Sequence, residues 1–256
     1  AGILAAYNLL DSKEVVPSLK IEEADLLIGF GADLLGAGSE PVAHTAQYAN
    51  RRKQRSTRDF RHIQFEGSLT LTGAAADERV SATASDRHLI ILELLKRAAA
   101  TQSTPEAAKI GRLIGSVPSL DTHQTIIKRT SQELLRAKGK SLVVSGSNNV
   151  AEQVAVALLN RLLGNEGNTL NLESPSITRQ GREESIKELQ DALKSKSVGT
   201  VFFLDCNPVE EIPDGDVLAE QLKSVELSVA LTDRPNATTR SCEVVAAAHH
   251  ALESWG

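Results

Sequence analysis

The feature that most constrains this chain is an alternation of two patterns. Short apolar runs at residues 25–30, 61–66, 78–82, 141–145, 199–204, 225–231 and 242–247 are too short for stable helices, and many end in a glycine or small polar residue. Such runs read as buried strands. Between them lie longer segments with helical spacing at 39–53, 86–99, 121–138, 149–163, 182–196 and 214–223. In 149–163, Val150, Val154, Leu158 and Leu162 recur at a four-residue step and Gly164 follows them, which predicts one apolar face and a glycine stop. Ser39-Glu40-Pro41 predicts one helix start, Asp121 another, and Gly139 the end of that second helix. Strands alternating with helices imply βαβ units, so the expected fold is α/β with mainly parallel sheets flanked by helices, in two Rossmann-like lobes. The stretch 100–120 is rich in Thr, Ser, Pro and Gly. It is the expected boundary, giving lobes at 1–118 and 119–256.

Composition narrows the function classes. A formal net charge of −5 gives no global attraction to nucleic acid or to an anionic membrane surface. Cys206 and Cys242 are the only cysteines, too few for a disulfide framework or an iron–sulfur quartet. No apolar run reaches the length of a membrane span. The run Arg51, Arg52, Lys53, Arg55, Arg58 and Arg61 reads as a solvated helix end rather than an anion site. His249-His250 lacks acidic or cysteine partners at metal spacing. Asp77 and Glu78 are adjacent on an expected strand, so they point to opposite faces and form no carboxylate dyad.

In open α/β sheets, ligands bind beyond the carboxyl ends of the strands. The residues that follow each strand are therefore the candidates. They are Gly31 and Asp33, Glu66, Asp86, Gly146 to Asn148, Asn207-Pro208, and Thr232-Asp233. The helix after Gly146-Ser147-Asn148-Asn149 offers free N–H groups to an anion, although this loop is not a Gly-x-Gly-x-x-Gly fingerprint. Each loop alone is ordinary turn chemistry; together they suit a nucleotide-sized ligand. No basic residue falls within the loops at 146–148, 207–208 and 232–233.

Several segments, in order, resemble the molybdopterin oxidoreductases. Ala24-Asp25-Leu26-Leu27-Ile28-Gly29-Phe30-Gly31-Ala32-Asp33, with Pro41-Val42 after it, resembles the start of a dinucleotide lobe in that family. Leu71-Thr72-Gly73 leading to Asp77-Glu78-Arg79 resembles its Thr-x-x-x-Ala-Asp stretch, which places Glu66 near the pterin-guanine dinucleotide and Asp86 on the guanine. Leu163-Gly164-Asn165-Glu166-Gly167, Asn207-Pro208, Thr232-Asp233 and Thr238-Thr239 follow the family's order. The ending Leu252-Glu253-Ser254-Trp255-Gly256 looks like the molybdopterin-like part of the large iron–sulfur subunit of bacterial alternative complex III, a quinol-oxidising assembly.

The resemblance implies cofactor-binding residues at Gly31, Asp33, Glu66, Asp86, Gly146, Asn148, Asn207, Thr232 and Asp233. The family cofactor is molybdenum bis-molybdopterin guanine dinucleotide. This chain departs from the family before Asp86, with Ala82-Thr83-Ala84-Ser85 in place of Arg-Pro-Gly-Thr. The family's iron–sulfur cysteines and metal-ligating Ser or Cys have no counterpart in it. The expectation is therefore no metal ligand, no cofactor in this chain, no catalytic residue and no oxidoreductase activity of its own. The implied role is structural, within a membrane-attached respiratory electron-transfer complex on the periplasmic face. Its implied partners are an iron–sulfur domain of the same polypeptide and membrane subunits. Two alternatives stay open: cofactor-binding lobes of an active molybdenum enzyme, and a generic nucleotide-binding α/β module.

Overall fold

The computed structural model describes residues 1–53, 60–115, 118, 120, 123–177 and 183–254. The elements in chain order are α1 (Gly2–Asp11), β1 (Val16–Leu19), a 3-10 turn (Ile21–Glu23), β2 (Leu26–Phe30), α2 (Pro41–Lys53), β3 (Arg61–Glu66) and α3 (Leu71–Ala75). Then come β4 (Glu78–Ser81), α4 (Ala84–Ala100), α5 (Pro105–Ile114), α6 (Gln124–Arg136), β5 (Ser141–Ser145), α7 (Val150–Leu162) and β6 (Leu170–Ser176). The chain continues through α8 (Glu183–Lys194), β7 (Thr200–Leu204), α9 (Pro208–Glu211), α10 (Gly215–Leu222), β8 (Leu227–Thr232), α11 (Ala237–Ser241) and β9 (Val244–Ala247). The α/β class with parallel sheets and flanking helices is as the sequence predicts.

The chain divides into two compact units, Ala1–Gln180 and Gly181–Gly256. This corrects the expected boundary after residue 118, part of which lies outside the described residues. The reason is register. β5 pairs in parallel with β2, Leu26 opposite Ser141 and Phe30 opposite Ser145, so a strand assigned to the second lobe completes the first sheet. The stretch taken as a linker contains α5, whose start is a Thr104 cap on the Ala107 N–H with Pro105 in the first turn. That is a helix-start signal inside a composition that otherwise reads as loop. The expected Asp121 cap lies outside the described residues.

The first unit's main sheet runs β4-β3-β2-β5, all parallel. Leu26, Ile28 and Phe30 alternate with Leu27 along β2, and every residue of the strand is buried, because helices cover both faces. On one face, Ile28, Phe30, Ile63 and Phe65 meet Ile90, Leu94 and Leu95 of α4 and Leu159 of α7. On the other, Leu27, Leu142 and Val144 pack with Ile21, Tyr48 and Phe60. A separate antiparallel pair, β1 with β6, escapes sequence reading because Pro17 and Pro175 interrupt any alternating pattern.

Part of the basic run staples this unit instead of dissolving into solvent. Arg51 is 5% exposed and pairs with Asp25 at 2.7 Å. Arg52 pairs with Asp77 at 2.9 Å, and Arg61 with Glu78 and Glu133 at 2.7 and 2.9 Å. Arg55 and Arg58 lie outside the described residues. Asp77 faces Arg52 and the His62 N–H, while Glu78 faces Arg61 and Arg129, so the two carboxylates diverge as expected.

In the second unit, β7, β8 and β9 form a parallel sheet in sequential order. Val201 and Phe203 of β7 pack with Leu218 and Leu222 of α10 and Leu193 of α8. The intervening Phe202 and Leu204 are 60% and 68% exposed, which leaves an apolar row on the opposite face of that strand. Among the described residues, no helix is long and apolar enough to cross a membrane.

Candidate functional site at the sheet's switch point

The strand order β4-β3-β2-β5 reverses direction at β2, since the chain steps outward through β3 and β4 and then returns to the other side of β2. Such a reversal splays the loops that leave two neighbouring strands and opens a crevice at their carboxyl ends. Here those loops are Gly31–Asp33 after β2 and Gly146–Asn148 after β5. A cavity of about 420 Å³ lies there, and Gly31, Asp33, Gly146 and Asn148 all line it. The two loops approach closely. A Cβ on Gly146 would stand 2.3 Å from the Gly31 carbonyl oxygen, and Gly31 itself has φ +62°, a conformation that costs glycine little.

The side chains at these positions are occupied with the fold. Asp33 accepts hydrogen bonds from Thr72 N and Oγ1 at 3.1 and 2.8 Å and from Ala37 N at 3.0 Å. Burial alone would raise its pKa; these bonds outweigh burial and hold the carboxyl below its ordinary value. Asn148 Oδ1 accepts from the Gly2 N–H at 3.5 Å, so the start of α1 sits against this loop. At the N-terminus of α7, Asn149 caps the Glu152 N–H. The Glu152 carboxylate, 5% exposed, accepts from Ser145 Oγ at 2.5 Å. Gln153 Nε2 donates to the carbonyls of Ser145 and Ser147. The helix end that would suit a phosphate already holds a carboxylate of its own.

Glu66 and Asp86 stand apart from the cavity lining. Glu66 is 1% exposed and accepts from Thr70 N, Thr70 Oγ1, Arg79 Nε and Gln64 Nε2. Those bonds overcome the opposing effect of burial and lower its pKa. Asp86 closes a capping box with Thr83 at the start of α4, and the Thr83 bonds hold its carboxyl below the usual range. His123 lies 4.0 Å from it.

In the second unit, Asn207, Thr232 and Asp233 line a cleft of about 330 Å³ with Asp205, Glu211 and Arg234. Asn207 Oδ1 accepts from Thr238 N and Oγ1, and Asn207 Nδ2 donates to Glu210. Thr232 is buried, and Asp233 pairs with Arg234 at 3.0 Å, which lowers the Asp233 carboxyl. Arg234 is thus a basic residue at this cleft, one position beyond the loop that the sequence reading took as free of base.

His44, Gln153 and Asn160 are among the lining residues of the first cavity that escaped sequence reading. His44 is 2% exposed, its Nε2 lies 3.7 Å from Glu40 Oε2, and its Nδ1 has no hydrogen-bond partner. Burial lowers its basicity against the opposing pull of Glu40. The available signal was the spacing of Glu40 and His44, four apart at a helix start, which sets both on one face.

A pterin-guanine dinucleotide carries a pyrophosphate, and a dry pocket holds that charge with cations. Among the described residues, Asp33 and Glu40 line the first cavity, and neither Lys nor Arg does. Arg87 packs on Gly31, where a Cβ would meet its guanidinium at 2.4 Å, but it is not part of the lining. Among the described residues, the second cleft sets Asp205, Glu211 and Asp233 against Arg234 alone. The described lining residues do not fit the family cofactor. Among the described residues, no cluster of three or more His, Cys, Asp or Glu could hold a metal ion.

Comparison with solved structures gives acetylene hydratase from Pelobacter acetylenicus, with a TM-score of 0.63 at 11% identity over 96% of this chain. The chain spans 44% of that protein's length. It also gives the formyltransferase/hydrolase complex from Methylorubrum extorquens in complex with methylofuran. There the TM-score is 0.47 at 12% identity, covering 97% of this chain and 70% of that one. No protein-family model and no curated protein sequence matches the chain. The first likeness shows a shared fold; the second is too loose to carry an argument.

Proposed function

We propose that this chain is a cofactor-free structural piece of a molybdopterin oxidoreductase-like protein. Its proposed setting is a membrane-attached, quinol-oxidising complex of the alternative complex III type, on the periplasmic face. The ordered motifs from Asp25 to Glu253 support the family reading. The fold shared with acetylene hydratase over 96% of the chain agrees with it. The observation that carries the cofactor-free reading is the charge at the switch-point cavity. Among the described residues its lining holds Asp33 and no Lys or Arg, and Glu152 stands in the first turn of the adjoining helix. The exposed Phe202 and Leu204 support a role in assembly, because parallel sheets bury both faces and the uncovered row suits a partner domain or subunit. The proposed partners are an iron–sulfur domain of the same polypeptide and membrane subunits of the complex.

The position of the cavity at a switch point favours a second reading, in which the lobes load molybdenum bis-guanine dinucleotide. One experiment separates the two. The chain, and the longer polypeptide that contains it, are produced in a host that makes the cofactor and assayed for molybdenum, tungsten and acid-released pterin. Background levels in both are expected. Stoichiometric metal with pterin in the longer polypeptide would establish the second reading.

A further inference from the structure

We propose that Tyr48 and His62 form a proton-operated switch within the first unit. With His62 neutral, the Tyr48 hydroxyl donates to His62 Nδ1. With His62 protonated, Nδ1 donates to the Tyr48 oxygen and the hydroxyl turns to the Ala75 carbonyl. This goes beyond the cofactor-free reading and holds whether or not the chain works in a respiratory assembly.

The ground is a buried polar row on β3. His62, Gln64 and Glu66 alternate along the strand and so share one face, and they are 0%, 0% and 1% exposed. The direction of each hydrogen bond follows from the Glu66 end. Gln64 Nε2 sits 3.0 Å from the Ala32 carbonyl and 3.4 Å from Glu66 Oε2, two acceptors, so the amide nitrogen belongs there and Oε1 faces His62. Gly29, opposite on β2, leaves room for it, since a Cβ there would stand 1.8 Å from Oε1. Oε1 lies 3.3 Å from His62 Nε2, which therefore carries the single proton of the neutral ring. Nδ1 is then a buried acceptor, and the Tyr48 hydroxyl at 3.2 Å is its donor. The same hydroxyl stands 2.8 Å from the Ala75 carbonyl, a second acceptor for its proton. A proton taken from bulk water onto Nδ1 thus leaves the ring, the hydroxyl and the carbonyl all paired. Ala75 ends α3, whose Thr72 holds Asp33. Arg52 of α2 already donates to that carbonyl, so the charged state ties the end of α3 to α2 through two donors instead of one. Burial pushes the His62 ring down to about 4. Among the described residues, the Gln64 bond and the charges of Asp77 and Glu66 oppose that, while Arg52 adds to it.

The test is nuclear magnetic resonance on the full chain with isotope-labelled histidine rings and alanine carbonyls. Near neutral pH the His62 ring should show a protonated Nε2 and a bare Nδ1. On acidification Nδ1 should take up a proton with a midpoint near 4 while the chain stays folded. The Ala75 carbonyl resonance should move with the same midpoint. Tyr48→Phe should lower that midpoint by about half to one pH unit, because the bond made by the charged ring is roughly twice as strong as the one made by the neutral ring. If that variant fails to fold, the Ala75 resonance of the unaltered chain carries the same test. A proton on Nδ1 near neutrality would overturn the proposal. So would an Ala75 carbonyl that stays still through the His62 titration, a Tyr48→Phe midpoint that does not fall, or unfolding before His62 titrates. None of these outcomes bears on the cofactor-free reading, which the metal and pterin assay decides.

Discussion

At Glu66, four donors converge on one carboxylate that is 1% exposed. Glu66→Gln keeps the shape, removes the charge that Arg79 answers, and turns an NH₂ toward at least one donor. The expected cost is about 2–3 kcal/mol, read as a lower urea midpoint at unchanged slope. A residue reserved for a ligand would leave stability nearly untouched, so an unshifted midpoint would contradict the structural role. His62 gives a pH test. Burial pushes it down to about 4, with Tyr48 and Gln64 against its ring nitrogens. Above its ordinary value of 6.5 the ring is neutral in both folded and unfolded chains. As pH falls below that, the unfolded chain takes up the proton first, so stability drains away down to about pH 4. The loss should reach about 3 kcal/mol. Comparing His62→Gln with the parent across that window should show a flatter pH profile in the variant.

Elements show where residue patterns suffice and where they fail. β2 to β5 and β7 to β9 are legible because short runs of Leu, Ile, Val and Phe must be buried strands once their length excludes helices. α5 is not, because its helical face is short and the stretch around it is dominated by Thr, Ser, Pro and Gly. Its cap is testable. Thr104→Ala should remove the bond to Ala107 N and cost about 1 kcal/mol, checked by thermal unfolding. β7 offers another test at this scale. Phe202→Ser with Leu204→Ser replaces exposed apolar area, so the melting temperature should change little while self-association of the isolated chain falls. A sharp drop in melting temperature would mean that the row is packed rather than free.

For the whole molecule, the consequence of β5 is decisive. A fragment of residues 1–118 keeps β2, β3 and β4 but loses the strand that pairs with Leu26–Phe30 and the α7 residues that pack under it. It should show no cooperative unfolding, whereas residues 1–177 should unfold in a single transition in denaturant. A folded 1–118 fragment would restore the boundary that composition suggests.

The sequence by itself determined strands β2 to β5 and β7 to β9, the parallel α/β class and the loops that follow those strands, because each follows from local length, periodicity and turn chemistry. It also placed Gly31, Asp33, Gly146 and Asn148 among the candidates. Only the tertiary structure decided that these four belong to one unit and one cavity, since strand pairing between Leu26 and Ser141 joins segments far apart in the chain. Only it decided that Glu66, Asp86 and Asn207 spend their polar atoms on neighbouring backbone and side chains. A polar residue after a strand looks the same in sequence whether it awaits a ligand or closes a turn. The difference lies in which donors the fold brings within about 3 Å of it.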